Sequence, residues 1–347
     1  MSKFRSVAAP LLFLDCVPRV YWAEVVVERS KRRGTESQTS LRGGPQAPSL
    51  WAPSIFIGES VRLRAPGHDR MCGMKTHEST HTAQDGATVY WQEWLPDSDP
   101  RAAMVLIHGL GEHSGRWDHW AKKFTDEGIA VFSMDNRGHG KTPGTRGDMR
   151  MPDAVADVGE LIAEARNRYP DVPIVIYGHS LGGLITMTYT VQNHPDVAAQ
   201  VASAPALDSE LRDQKIKFTM ANLLGGIAPG IVIPTGLDSA GVSRDPAVVE
   251  AYDNDPLVHD KGSVGLAKQT FEAMDNIMEQ TSFPVPLLII HGTDDRLTVP
   301  EASKRFVDQS TGDITLIEYD GMYHEPHNEP EQDDVFNDVM SWLNKYL

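Results

Sequence analysis

Gly178-His179-Ser180-Leu181-Gly182 sets a serine hydroxyl in a glycine-framed turn. Such a turn suits nucleophilic attack when a strand enters it and a helix leaves it. Both flanks fit: Pro173-Ile174-Val175-Ile176-Tyr177 reads as a short buried strand, and Leu181 to His194 carries helical apolar spacing. Side chains at positions 178 or 182 would collide across the turn, and strained backbone angles are expected at Ser180. The hydroxyl would then stand at a helix N-terminus, whose dipole favours a developing negative charge. A glycine-rich loop with an incidental serine is the plainer alternative, and it leaves the flanks unexplained.

A serine nucleophile needs a base, and the base needs an orienting acid. Pro286-Leu287-Leu288-Ile289-Ile290 is a second buried-strand run, ending in His291-Gly292-Thr293-Asp294-Asp295-Arg296. Two adjacent aspartates compete there. The frame His-Gly-x-x-Asp selects Asp295 and leaves Asp294 as a turn or capping residue. Ile314 to Tyr319 makes the last strand, and Gly321-Met322-Tyr323-His324 follows it, so His324 is the candidate base. The order Ser, Asp, His along the chain is that of the α/β-hydrolase fold. An oxyanion hole is also required. Met104-Val105-Leu106-Ile107 forms an early strand, and His108-Gly109-Leu110-Gly111 turns off its end. The N–H of Leu110 can pair there with that of Leu181. Four strand ends thus deliver nucleophile, acid, base and oxyanion donors to one sheet edge.

The chain resembles the monoacylglycerol lipases, and within them the bacterial, mycobacterial-type enzymes. The resemblance rests on His108-Gly-Leu-Gly-Glu-His-Ser-Gly-Arg116, Asp135-Asn-Arg-Gly-His-Gly140, Gly178-His-Ser-Leu-Gly-Gly183 and His291-Gly-Thr-Asp-Asp-Arg-Leu297. Ser243 to His259 is similar over its whole length, and the likeness covers roughly residues 76–347. It implies hydrolysis of monoacylglycerol esters by Ser180, Asp295 and His324. It also implies polar groups around the glycerol end at Glu112, Arg116, His179 and His327. Glu112 and Arg116 are equally readable as an ion pair bracing the oxyanion loop. His108, Asp135, Arg137 and His139 read as loop ties.

About eighty residues separate Ala204-Pro205 from Pro286, far more than one α/β connection needs. This insertion, about 206–282, reads as a cap. Its stretch Phe218 to Pro234 is mostly apolar but too short and too interrupted by glycine and proline to span a membrane. A lid lining an acyl tunnel, a lid docking on lipid, and an ordinary buried cap helix all account for it. Gly225-Gly226 and Pro229-Gly230 are places for it to flex.

The net charge of −16 is unevenly spread. Residues 1–73 hold 11 basic and 6 acidic side chains, whereas residues 74–347 hold 21 basic and 42 acidic. So acidic a catalytic region repels phosphates, which argues against nucleic-acid binding. Both cysteines, Cys16 and Cys72, fall in the first segment, so no disulfide crosses the catalytic region and nothing points to an oxidising compartment. Lys3 and Arg5 followed by Val7 to Leu14 make a poor signal peptide, because Asp15 interrupts the apolar run. Residues 1–73 read as a poorly ordered extension or as a start codon placed too early. Met74 opens a segment much like the family's usual start, which favours the second.

His77-Glu78-Ser79-Thr80-His81 matches the H-E-x-x-H zinc pattern. It lacks an apolar helical face and runs into Asp85-Gly86 and a strand, so coincidence is expected, with no metal and no cofactor. Strands are predicted near 88–95, 102–107, 130–134, 173–177, 199–203, 286–291 and 313–319. Helices are predicted near 115–127, 151–169, 181–193, 300–310 and 331–346, with cap helices between 208 and 282. Alternating strands and helices give an α/β fold, a mostly parallel sheet covered on both faces with a helical cap. The expected function is a cytoplasmic serine esterase that cleaves monoacylglycerols through an acyl-enzyme and touches membranes or micelles through the cap. A broader carboxylesterase or lysophospholipase, a cofactor-free haloperoxidase, and a ligand receptor on a hydrolase fold are the alternatives.

Overall fold

A computed structural model describes residues 75–209 and 225–347. The expectations for residues 1–73, including Cys16 and Cys72, lie outside those described, as does 210–224 of the cap. Eight strands form the main sheet: β1 (Lys75–Thr82), β2 (Thr88–Leu95), β3 (Ala102–Ile107), β4 (Ile129–Met134), β5 (Ile174–His179), β6 (Ala199–Ser203), β9 (Leu287–Gly292) and β10 (Ile314–Tyr319). Their spatial order is β1-β2-β4-β3-β5-β6-β9-β10. β1 and β2 are antiparallel to their neighbours, and every pair from β4 to β10 is parallel.

The central strands read as unbroken apolar runs because both faces are covered. Val105 and Ile107 of β3 point into one core, and Met104 and Leu106 into the other. The first core is closed by α2 (Met151–Arg168), α3 (Leu181–Asn193), α5 (Val264–Met278) and α6 (Pro300–Gln309). The second is closed by α1 (Asp118–Asp126) and α7 (Gln332–Leu343). The cap also carries α4 (Pro246–Asn254) and a two-stranded ribbon of β7 (Val232–Pro234) with β8 (Lys261–Ser263).

The strand β1 is not among the predicted elements. The H-E-x-x-H stretch lies within it, so His77 and His81 stand four residues apart on an extended chain. Their Cα atoms are then about 13 Å apart. His77 faces Glu93 and His81 faces Glu160, so each histidine meets its own carboxylate rather than a shared centre.

Because the strands from β4 to β10 run parallel, the turns after β3, β5, β9 and β10 emerge at the same sheet edge. All the expected chemistry lies on these turns.

Candidate active site

Ser180 follows β5 with φ 54° and ψ −120°, a backbone region that L-residues rarely adopt. Its N–H donates to the Ser203 carbonyl at 2.9 Å, and its own carbonyl accepts from Leu184 and Ala206, each at 3.1 Å. A Cβ at position 182 would overlap the carbonyl oxygens of Ile107 and His108. Glycine is therefore needed for α3 to start so close beneath β3.

The loop carrying His324 is tied to Asp295. His324 Nδ1 lies 2.7 Å from Asp295 Oδ2. The same oxygen lies 3.0 Å from His291 Nε2 and accepts from Thr298 Oγ1 at 2.8 Å. Asp295 Oδ1 accepts the backbone N–H groups of Leu297 (2.7 Å) and Thr298 (3.0 Å). Asp294 is exposed, while the Asp295 side chain is wholly buried. Of the two aspartates, Asp295 is the one within hydrogen-bond reach of His324. Burial opposes charge on Asp295, but His324 and the hydrogen bonds from His291 and His324 outweigh it, and its carboxyl stays well below the usual range. Burial likewise opposes a proton on His324, and the Asp295 carboxylate overcomes that and raises its pKa.

A base must be neutral to accept a proton, so activity is lost as pH falls through the raised His324 pKa. The acid limb of kcat/KM is expected above the ordinary imidazole value of about 6.5. A pH profile on a short p-nitrophenyl ester checks this, and a midpoint below that value would remove the Asp295–His324 pair from the mechanism. His179, pulled down to about 4 chiefly by burial, stays neutral across that limb.

Ser180, His324, Leu110, Leu181, Glu112 and His179 all line one cavity of about 460 Å³. The turn bearing Leu110 presses on Ser180: a Cβ on Gly109 would sit 3.1 Å from Ser180 Cβ. As the first residue of α3, Leu181 has an N–H without an i−4 partner in the helix. A serine at a helix N-terminus, an imidazole paired with a buried aspartate and the Leu110 turn in one cavity are an arrangement suited to acyl transfer.

Arg116 and His327 are not drawn into the cavity lining. Arg116 is buried behind it, its guanidinium 2.9 Å from Glu112 Oε2 and bidentate on Glu325 at 2.7 and 2.8 Å. His327 stacks on Trp117 with ring centroids 3.9 Å apart, and burial drives its pKa well down. The His327 ring, on the short 3₁₀ turn Pro326–Asn328, also lies 4.8 Å from the ring of His179, so it sits directly behind the cavity wall. His108 accepts the Asn136 N–H at Nε2, and Asp135 accepts from the backbone N–H groups of Ser114 and Lys141. Arg137 pairs with Asp157 and Asp85. His139 is a buried ring beside His108. These four residues fasten loops.

Glu325 and Thr298 are functional candidates that sequence reasoning missed. The only sequence signal was adjacency, since Glu325 follows the base directly and Thr298 lies three residues beyond the acid. The cap is also fastened here. Gly241 and Val242 carbonyls accept from the N–H groups of His324 (3.3 Å) and Glu325 (2.8 Å). Ser243 Oγ donates to the Asn328 carbonyl at 3.0 Å, and Arg244 Nε to Glu329 at 2.8 Å.

A family described as serine aminopeptidase, S33, matches residues 98–331. Over 274 residues the chain is 37% identical to a monoacylglycerol lipase of Mycolicibacterium smegmatis, covering 78% of this chain and 98% of the relative. The chain belongs to the monoacylglycerol lipase family. It is accordingly an α/β-hydrolase and an enzyme. The family's monoglyceride lipase of Mus musculus is 31% identical over 268 residues, 75% of this chain and 88% of its own length. The crystal structure of a monoacylglycerol lipase of Paleococcus ferrophilus superposes with a TM-score of 0.69 at 33% identity, covering 75% of this chain and 99% of that one.

Proposed function

We propose that this enzyme hydrolyses monoacylglycerols to fatty acid and glycerol through an acyl-Ser180 intermediate. The observation that carries the reading is the buried Asp295–His324 hydrogen bond opening onto the cavity that holds Ser180. His324 takes the Ser180 proton as the hydroxyl attacks the ester carbonyl, and the N–H groups of Leu110 and Leu181 receive the oxyanion. His324 then protonates the departing glycerol, and water cleaves the acyl-enzyme.

The cavity lining supports a neutral leaving group. Glu112, Asp238, Asp253, Asp255, Asp260 and Glu325 contribute to it, with no lysine or arginine among the described lining residues. Glu112 and Glu325 share Arg116 behind the wall, but one guanidinium does not balance the set, so an anionic headgroup entering there still meets net like charge. Leu181, Val264, Leu266, Phe271 and Met274 supply an apolar wall suited to an acyl chain. Ile227, Ile231, Ile233 and Leu237 are exposed on the cap, and contact with lipid aggregates accounts for so apolar a surface. No helix among the described residues is long and apolar enough to cross a membrane.

The test is glycerol release from 1-monooleoylglycerol micelles beside acyl release from lysophosphatidic acid of the same chain. The neutral ester is expected to be cleaved at least ~100-fold faster, and paired aspartates at Ile227 and Ile231 should lower the rate on micelles only. Equal rates on the two lipids would move the reading to a lysophospholipase.

A further inference from the structure

Two carboxylates and one guanidinium form a buried bridge between the oxyanion turn and the base loop. Glu112 Oε1 accepts the Gly109 N–H at 2.7 Å, so it holds the turn that carries Leu110. Glu112 Oε2 accepts from Arg116 at 2.9 Å and from Trp117 Nε1 at 3.2 Å. The same guanidinium grips both oxygens of Glu325, and Asn328 Nδ2 adds a bond to Glu325 at 2.7 Å. Side-chain exposure is 10% for Arg116 and 3% for each glutamate, so water competes little for these bonds. The guanidinium also lies 4.6 Å over the Tyr252 ring.

The arrangement argues against a substrate-binding arginine. Arg116 does not line the cavity, and its two terminal nitrogens are already engaged by carboxylates. It joins its own segment, tied through Glu112 to the turn against Ser180, to Glu325, 209 residues on and directly after His324.

We propose that Glu325, through Arg116 and Glu112, is a positioning residue that sets the spacing between the oxyanion donors and His324. The proposal rests on the esterase reading above. Misplacing either group by an ångström lowers the chemical step by about 100-fold without weakening substrate capture, because the transition state alone needs both together. The bridge also places anionic charge beside the imidazolium that forms during catalysis. The groups around His324 are Asp295 and His291 from β9 and its turn, His179 at the end of β5, Glu112 and Arg116 from the oxyanion side, and His327 and Glu325 on its own loop. Replacing Glu325 by a neutral isostere removes one anion from that set.

The experiment compares wild type, Glu325→Gln and Arg116→Lys on 1-monooleoylglycerol and on p-nitrophenyl butyrate, whose leaving group has no glycerol. The expected result is a kcat lower by about 100-fold on both esters with KM within about threefold. The acid limb of Glu325→Gln should also move to lower pH. Loss confined to the glycerol ester would overturn the proposal in favour of direct substrate contact. Unchanged kcat in a folded variant would overturn it in favour of a purely structural pair. Should Glu325→Gln fail to fold, Arg116→Lys, which keeps the charge and loses the fork, separates the same outcomes. Labelling wild type with a fluorophosphonate tells the two levels apart. A Ser180 adduct together with wild-type turnover of 1-monooleoylglycerol upholds the esterase reading whatever the variants do, and the absence of both overturns that reading and this proposal together.

Discussion

Ser180→Gly is expected to abolish ester hydrolysis and to raise the melting temperature. The rate should fall by about 10⁵-fold or more, the scale on which serine hydrolases lose turnover with their nucleophile. The gain in stability comes from the backbone. At φ 54° and ψ −120° a non-glycine residue carries about 1–3 kcal/mol of strain, held by hydrogen bonds to Ser203, Leu184 and Ala206. Glycine adopts that conformation freely, at a cost of about 0.5–1 kcal/mol in unfolded-chain entropy. The balance favours the folded state by about 1 kcal/mol, or about 2–4 °C in a domain of this size. Calorimetry beside a glycerol-release assay checks both halves. A lower melting temperature would mean that the turn at Ser180 stores no strain.

The second large effect is expected at Asp295. In Asp295→Asn, the side-chain oxygen can still accept the N–H groups of Leu297 and Thr298. The amide nitrogen then faces His324 Nδ1, which must turn acceptor and leave its proton on Nε2. An imidazole protonated at Nε2 cannot take the Ser180 proton, so kcat should fall by about 10⁴-fold at neutral pH. Asp294→Asn, on an exposed side chain, is expected to stay within about twofold of wild type. Steady-state kinetics of the two variants distinguishes them. A larger loss in Asp294→Asn would reassign the acid.

The elements that hold these residues were legible because they are buried on both faces. Runs such as Met104 to Ile107 and Leu287 to Ile290 carry no polar interruption, and the observed strands fall within two residues of those predicted. β1 was opaque for the opposite reason. Its residues are polar and mostly exposed, and it is a strand because β2 pairs with it and because Glu93, Glu160 and Lys141 meet its side chains. No local pattern encodes partners that arrive from elsewhere in the chain. The same limit hid Glu325, whose role depends on an arginine 209 positions earlier. His327, which the resemblance puts at the glycerol end, shows the same limit: its ring lies between Trp117 and His179, outside the cavity lining, and no local pattern encodes that packing.

The bonds from residues 241–244 of the cap to the loop around His324 bear on how such enzymes can be recombined. Access to the cavity and placement of the base are written in two stretches of chain about eighty residues apart, yet they form one mechanical part. A cap grafted from a relative without residues 323–331 would lose the pairing of Arg244 with Glu329 and Glu331 and leave the loop around His324 less supported. In this chain a new cap is therefore expected to work only when exchanged together with the loop around His324.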